Sequence, residues 1–479
     1  MSISRPFAYN PTLQTDGVSE QFGTLAVGFT GQTYQNSPGG LKWWNGPDEE
    51  LGYVISTSLP TGGPLGPDGT QSTVGFWRTN GFSDQELIQL SETLTGQNFV
   101  SSSDAMSYLR SNGYWTSTTG LTPYNIVVGG LFTIYSGQTA NNIIGLNYNG
   151  SINSEFAYGT GFNGEVETII KDNNQKIIIG GRFTTYQGVN RGLLVRLNTD
   201  GSYDTSFDIG SGFSPTAILN SFIDTNNKIL LIGLWSTFNG SAIPPYLARL
   251  NSNGTYDNSY SVGEFNFAAT AAALQSDNKI IIAGSFTTYS GLTANGICRL
   301  NDNASLDNSF SAGNGFNQLV RSIKIQTDGK LIVGGGFTTY DGVTSNRIVR
   351  INSNGSLDST FNIGSGFNNT VESIAIQFDG KILIGGNFNT YNGVSVGALV
   401  RLNTDGTIDS TFNTGSGPSG FIFSIVIDSS NKILIGGNFG SYNGVNIRSF
   451  ARINSDGSLD TTFLGNQSFT DVVNVSVTY

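Results

Sequence analysis

The stretch that decides the fold is KILIGGNFNTYNGVSVGALVRLNTDGTIDSTF, Lys381 to Phe412, because close copies of it stand before and behind it. Aligned on the Phe of GGNF, the equivalent residues are Phe132, Phe183, Trp235, Phe286, Phe337, Phe388 and Phe439, at steps of 51 or 52 residues. An aromatic follows three residues later each time (Tyr135, Tyr186, Phe238, Tyr289, Tyr340, Tyr391, Tyr442), and a Gly two after that, from Gly137 to Gly444. Seven copies at so even a spacing are one structural unit repeated, each needing its neighbour to bury a face.

Inside a unit the hydrophobic period is that of strands. VESIAIQ (Val371 to Gln377) alternates, KILIGGNF is short and β-rich, ALVRLN alternates again, and IDSTF is a brief fourth run. Asp-Gly pairs separate them, at 378–381 and 404–407, and suit two-residue hairpins with positive φ. Four short antiparallel strands make a blade, and seven blades in a ring leave only short, protected edges. The expected fold is therefore an all-β seven-bladed β-propeller of about 51 residues per four-stranded blade over 121–479, beside a small α+β domain over 1–120.

The ends of the repeat array say how the ring closes. The first unit, YNIVVGGLF (Tyr124 to Phe132), lacks the leading strand of the later ones, and the chain finishes on FTDVVNVSVTY, Phe469 to Tyr479, with no unit behind it. Laid on FNNTVESIAIQ with one loop residue removed, Val475 and Val477 fall on Ile374 and Ile376. The last strand is expected to pair into blade one against residues 124–132.

Charge is repeated too. Arg196, Arg249, Arg299, Arg350, Arg401 and Arg452 each precede an Asp by eight residues: Asp204, Asp257, Asp307, Asp358, Asp409 and Asp460. In the first unit both are missing together, replaced by Gly145 and Asn153. Joint loss points to ion pairs across the third and fourth strands that belong to the scaffold. Six arginines each supplied with an acid are not free for an anionic ligand. Repetition of Phe388 and Tyr391 at equivalent positions likewise reads as packing between blades, not as a sugar-stacking ladder. The NTDG and NSNG segments (Asn198 to Gly201, Asn352 to Gly355) place Gly wrongly for a calcium loop and lack the distal Glu; they read as turns. GSGF at Gly364 to Phe367 is not followed by a helix, so it is no phosphate loop.

The unit GF…V.SI.IQ.DGK.LIGG.F..Y.G….R..RLN.DGS.D..F resembles the delta-60 type repeat of β-propeller domains in bacterial and phage proteins, over residues 124–479. Its strand-and-turn rhythm is distantly similar to a WD40 unit without the Trp-Asp pair. The resemblance implies a fold and no catalytic residues.

Composition removes whole classes of chemistry. The chain has no histidine and one cysteine, Cys298, which excludes His-based catalysis, His or Cys metal clusters and internal disulfides. A net charge of −11 with only 12% charged residues disfavours nucleic acid and anionic membranes as partners. No cofactor is expected, and no enzymatic activity. An enzyme here would need two carboxylates about 5–10 Å apart, and Glu165, Glu167 and Glu264 are the acids that stand outside the repeat.

Composition shifts near Thr122: four of the five tryptophans and seven of the twelve prolines precede it. The first 120 residues read as an extended or β segment (1–60), a turn-rich connector (61–71) and a helical hairpin at about 83–113, whose first helix opens on Ser83 with Glu86 behind it. Trp43 and Trp44 are candidate docking residues, and the acidic trio Asp48, Glu49, Glu50 reads as a solvated or capping cluster before a metal site. WWNGPDEELGYVI and SSDAMSYLRSNGYWTS resemble segments heading structural and tail-associated proteins of large bacteriophages. MSISRPFAYNPTLQTDG has no apolar core of the secretory kind, and no run of about 20 apolar residues occurs.

These readings give the functional expectation. Residues 1–120 dock onto a phage particle, against other virion proteins and in multiple copies. The propeller then faces a host-surface glycan or protein, through loops that differ between copies and carry Asn190, Tyr246, Asn346 and Asn446. The expected location is the virion; the alternative is a bacterial extracellular or cell-surface protein, and a carboxylate-based glycan enzyme ranks below both.

Overall fold

The structure is a computed structural model that describes residues 125–478, apart from 429 and 464–468, together with the strands Lys42–Trp44 and Tyr53–Ile55. The chain divides into two compact units, Met1–Tyr124 and Asn125–Tyr479. In the first, the two strands pair antiparallel with Trp43 opposite Val54. The connector at 61–71, the helical hairpin at 83–113 and the acidic trio lie outside the described residues.

The second unit is an all-β propeller of seven sheets, and the described residues contain no helix. Blade 6 shows the plan: Val371–Ile376 pairs with Ile382–Gly386, which pairs with Leu399–Leu402. The expected fourth strand is reduced to a single bridge, Leu402 to Ile408. The reason is Asp409: its Oδ1 accepts from the Thr411 backbone N and hydroxyl, and this local turn competes with the ladder. A different pair of short strands, Thr390–Tyr391 and Val394–Ser395, forms a hairpin at the blade tip.

The turns also differ from expectation. In the Phe378–Lys381 turn the Gly380 N donates to Gln377 O, Gln377 N donates to Lys381 O, and only Gly380 has positive φ, at 82°. That is a type I turn followed by a left-handed bulge residue, not a two-residue hairpin. The two-residue hairpin sits at the tip instead, where Asn392 and Gly393 are both left-handed, at 48° and 76°, as a type I′ turn requires.

Residues Asn125–Leu131 pair on one side with Ile143–Asn147 and on the other with the C-terminal strand Val472–Thr478. The closing register is one residue away from the alignment made on sequence: Val477 lies opposite Val127 as Ala375 lies opposite Leu383, so Val477 matches Ala375 and Val475 matches Ser373. The loop keeps its full length: Phe469 bridges Tyr135 as Phe367 bridges Tyr391, and the β-bulge between Val371 and Ser373 is repeated in the closing strand, so no residue is to be removed in the alignment. No sheet closes on itself. The ring is closed by this shared sheet and by packing between blades.

That packing is the core. The apolar clusters among the described residues each span two consecutive blades, as in Ala375, Leu383 and Leu399 of blade 6 against Ile422, Ile433 and Phe439 of blade 7. The cluster that joins Leu434 and Phe450 of blade 7 to Ile126, Val128 and Phe132 of blade 1 completes the circle. A Gly-Gly pair in five of the seven second strands permits the approach, blade 3 carrying Ile232-Gly233 and blade 4 Ala283-Gly284 instead: a Cβ on Gly385 would lie 2.6 Å from Ile422 Cγ2 of the next blade. Phe388 and Tyr391 pack on Phe367 at 4.2 and 4.5 Å between ring centres, inside a cluster that includes Ile332 and Ile348 of blade 5.

Candidate functional site

The repeated arginines and aspartates sit at one end of the blades. Arg196 Nε lies 2.8 Å from Asp204 Oδ2, and the same contact recurs for Arg249 and Asp257 (2.7 Å), Arg299 and Asp307 (2.7 Å), Arg350 and Asp358 (2.6 Å), Arg401 and Asp409 (2.6 Å), and Arg452 and Asp460 (2.8 Å). Side chains on both sides are buried. A lysine completes each site: Lys381 Nζ stands 2.9 Å from Asp409 Oδ2 and Lys228 Nζ 2.7 Å from Asp257 Oδ2. The guanidinium of Arg350 also donates to Thr404 O of the next repeat at 2.5 Å and lies over the Phe361 ring. Burial by itself would raise the Asp409 pKa, but hydrogen bonds from Lys381, Thr411 and Arg401 outweigh it and hold the carboxyl well below the usual range. Nε of each arginine is committed to its aspartate, and Nη1 to the scaffold around it.

At the other end, three acids and two arginines gather where the first strands begin. Arg182 Nε lies 2.7 Å from Glu167 Oε1 and 3.4 Å from Glu165 Oε2, while Asn474 of the closing strand donates to Glu165 Oε1 at 2.7 Å. Arg321 of blade 5 stands 3.4 Å from Glu372 Oε2 of blade 6. Its charge also reaches Glu167 of blade 2, on the far side of the ring. Burial, and then the neighbouring Glu165, raise the Glu167 pKa against the pull of Arg182. The structure thus brings Glu165 and Glu167 together but ties both to one guanidinium. Glu264 is apart and exposed, its backbone carbonyl accepting from Ser290 N. Among the described residues no group of three or more His, Cys, Asp or Glu is placed to hold a metal ion.

The same end carries a cleft of about 300 Å³ between blades 6 and 7, lined by Asn368, Asn369, Asn387, Asn389 and Ser419, with Phe421 at its edge. Phe421 is 43% exposed. Asn368 is fixed by the backbone N–H groups of Asn389 and Thr390 and donates to Asn389 Oδ1 at 2.7 Å. The Asn387 side chain makes no hydrogen bond with a described residue. The lining is uncharged, rich in paired donors and acceptors, and has one exposed ring.

The four rim residues divide. Asn190 and Asn446 are exposed on tip hairpins. Tyr246 is half-buried against the cluster between blades 3 and 4, and Asn346 is half-buried and donates to Ser365 O at 2.9 Å, so these two hold blades together. The tips also expose one aliphatic residue on each of five blades, Val189, Leu292, Val343, Val394 and Val445.

A family model described as a domain of unknown function (DUF5122) beta-propeller matches residues 125–156, 174–207, 225–260, 275–310, 326–361, 377–412 and 429–463, just over half the chain. The chain belongs to the DUF5122 β-propeller family. No curated protein matches it. Among solved structures it is similar to the extracellular domain of the putative one component system BT4673 from B. thetaiotaomicron (17% identity, 68% of this chain and 38% of that one, TM-score 0.42). It is also similar to the WD40 β-propeller domain of Doa1 (16% identity, 69% and 90%, TM-score 0.44) and to a streptogramin B lyase (13% identity, 62% and 81%, TM-score 0.38). The chain spans little more than a third of the first of these.

This DUF5122 chain departs from its own repeat at a few positions. Phe421, Arg182 and Arg321 stand at positions where the other blades carry different residue types, and the signal that finds them is that irregularity, whereas Asn387 recurs in blade 7 as Asn438. The asparagine cleft was missed on sequence because Asn is abundant throughout the chain and its grouping arises only between two blades.

Proposed function

We propose that this DUF5122 propeller is a non-enzymatic structural protein of a bacteriophage virion, anchored through residues 1–120 to other virion proteins and binding a neutral host-surface glycan through the cleft between blades 6 and 7. The observation that carries the binding reading is the cleft lining of four asparagines and a serine beside the half-exposed Phe421. Amides supply donor and acceptor together, as a sugar hydroxyl does, and an aromatic face covers the apolar side of a pyranose. A glycan wets and leaves such a site without the desolvation cost of a charge. The virion setting rests on the N-terminal segments WWNGPDEELGYVI and SSDAMSYLRSNGYWTS.

The test uses the full chain. It is expected to bind neutral polysaccharide purified from host cells, and the variant Asn387→Ala/Phe421→Ala is expected to bind at least tenfold more weakly, since each lost stacking or amide contact is worth roughly 1–2 kcal/mol. Equal binding by the variant overturns the cleft reading. Mass spectrometry of purified particles decides the setting separately: absence of the chain from them removes the virion reading.

A further inference from the structure

Pro418 breaks the seam between blades 6 and 7. At four other junctions a phenylalanine stands in its place, and its backbone N–H donates to the preceding blade: Phe162 to Asn141 O at 3.0 Å, Phe213 to Gly192 O at 3.1 Å, Phe316 to Asn295 O at 2.9 Å and Phe367 to Asn346 O at 3.1 Å. Proline has no N–H to give, and the position of the acceptor is held in blade 6 by Gly397. The two segments part accordingly. A Cβ on Gly161, Gly315 or Gly366, each just before its phenylalanine, would collide with the carbonyl O of Asn141, Asn295 or Asn346, whereas among the described residues one on Gly417 would meet only Thr414 of its own loop. The left-handed residue moves too, from Asn142, Gly296 and Arg347 in blades 1, 4 and 5 to Gly397 itself in blade 6.

A side chain is missing from the same seam. Asn141 and Asn346 reach across it and donate to Thr160 O and Ser365 O, both at 2.9 Å. Gly397 has no amide to reach with, and even a Cβ on it would stand 3.7 Å from Ser416 O, the matching acceptor. Two cavities border the gap that results. One is the asparagine cleft, and the other is a groove of about 370 Å³ on the outer side of blade 6; Asn389 and Gly397 line both. Beyond Gly397 the groove runs between tip residues 394–396 and the loop 413–416. Its one charged lining residue, Asp409, is held by Arg401 and Lys381, so the groove is as neutral toward a ligand as the cleft. The equivalent groove on blade 4, with Asn295 in place of Gly397, measures about 230 Å³.

We propose that cleft and groove form one trough, which binds a neutral oligosaccharide lengthwise across Gly397 with sugar units in both parts. This rests on the glycan reading of the cleft and goes beyond it by naming an oligomer bound along its length in place of a single sugar. Each cavity by itself is at the small end of the range for ligand pockets, roughly 300–1,000 Å³. Joined on one chain, the second contact forms within the complex, so a fragment long enough to reach both parts gains affinity with no new charge.

The probes are fragments of neutral host-cell polysaccharide, released by partial acid hydrolysis and graded by size, titrated into the full chain by calorimetry. Affinity is expected to rise at least tenfold from the shortest fragments to the longer ones and then to level off. Gly397→Asn puts an amide into the passage at a φ of 61°, which asparagine tolerates, and blades 1, 4 and 5 already carry asparagine there. This variant is expected to flatten the dependence on length, holding long fragments to the affinity of short ones. A second readout needs only the natural chain: long fragments are expected to slow hydrogen exchange at Val396 in the groove, and short ones to leave it unchanged. Affinity that does not rise with length, a rise that persists in Gly397→Asn, or an unprotected Val396 would overturn the trough and leave the cleft standing. Failure of every fragment to bind, or equal binding by Asn387→Ala/Phe421→Ala, would overturn the cleft reading and the trough with it.

Discussion

Asp409 shows what a single residue does here. Its carboxylate faces Arg401 and Lys381 and is hardly exposed, so removing its charge leaves two cations, one of them buried, without a partner. Asp409→Asn is expected to cost about 3–5 kcal/mol in urea unfolding. Blade 1 shows the milder route: where the arginine is replaced by Gly145 and the aspartate by Asn153, the Phe156 ring fills the space, 2.5 Å from where a Cβ on Gly145 would stand. The double variant Arg401→Gly/Asp409→Asn is therefore expected to lose less than Asp409→Asn alone. A double variant that is worse than the single one would mean that the pair is not what the aspartate serves.

At the scale of the element, the tip hairpin is tied to the blade body by one hydroxyl. Tyr391 Oη donates to Gly406 O at 2.6 Å, Tyr442 to Gly457 O at 2.6 Å and Tyr186 to Gly201 O at 2.7 Å. Burial pushes these phenols up, in Tyr289 to about 12. Blade 3 does without the bond, since Phe238 takes the place of the tyrosine, and there the tip strand runs on from the sheet itself, with Phe238 opposite Ser241. Tyr391→Phe strands the Gly406 carbonyl and is expected to cost about 1–2 kcal/mol. Faster hydrogen exchange at Gly406 and Thr407 with little change elsewhere would check it; a uniform change across all blades would point to a loss of packing instead.

Across the whole molecule, six buried aspartates titrate as a set. Their folded pKa values lie below the ordinary 3.8, near 2 for Asp460 and lower still for Asp257, Asp307, Asp358 and Asp409. Groups depressed in this way contribute stability above the unfolded value and lose it as pH falls through the folded one. The urea midpoint is expected to stay level from about pH 8 to about pH 5 and to fall steeply below about pH 4. The tyrosines set the opposite limit: raised above the ordinary 10, they give stability below that value and lose it as pH climbs toward 12. A midpoint that is flat to pH 2 would show that the network carries no charge linkage.

The repeat alone determined that there are seven equal units, that they are β, and which residues recur. Period and turn chemistry are local, and a blade copies them each time. The Arg–Asp spacing was legible for the same reason, because a pairing inside one unit leaves a constant interval. The tertiary structure decided how the strands pair within a blade and how the blades meet. It reduced the fourth strand to one bridge, because the side chain of Asp409 offers the backbone a better local partner. It moved the positive-φ hairpin from Asp379–Gly380 to Asn392–Gly393 and set the closing strand one residue away from the sequence alignment, because the loop after Phe469 keeps its full length. The asparagine cleft belongs to the same class: it joins side chains of two consecutive blades, Asn368 and Asn387 of one with Ser419 and Phe421 of the next, and periodicity along one strand says nothing about what meets between two blades.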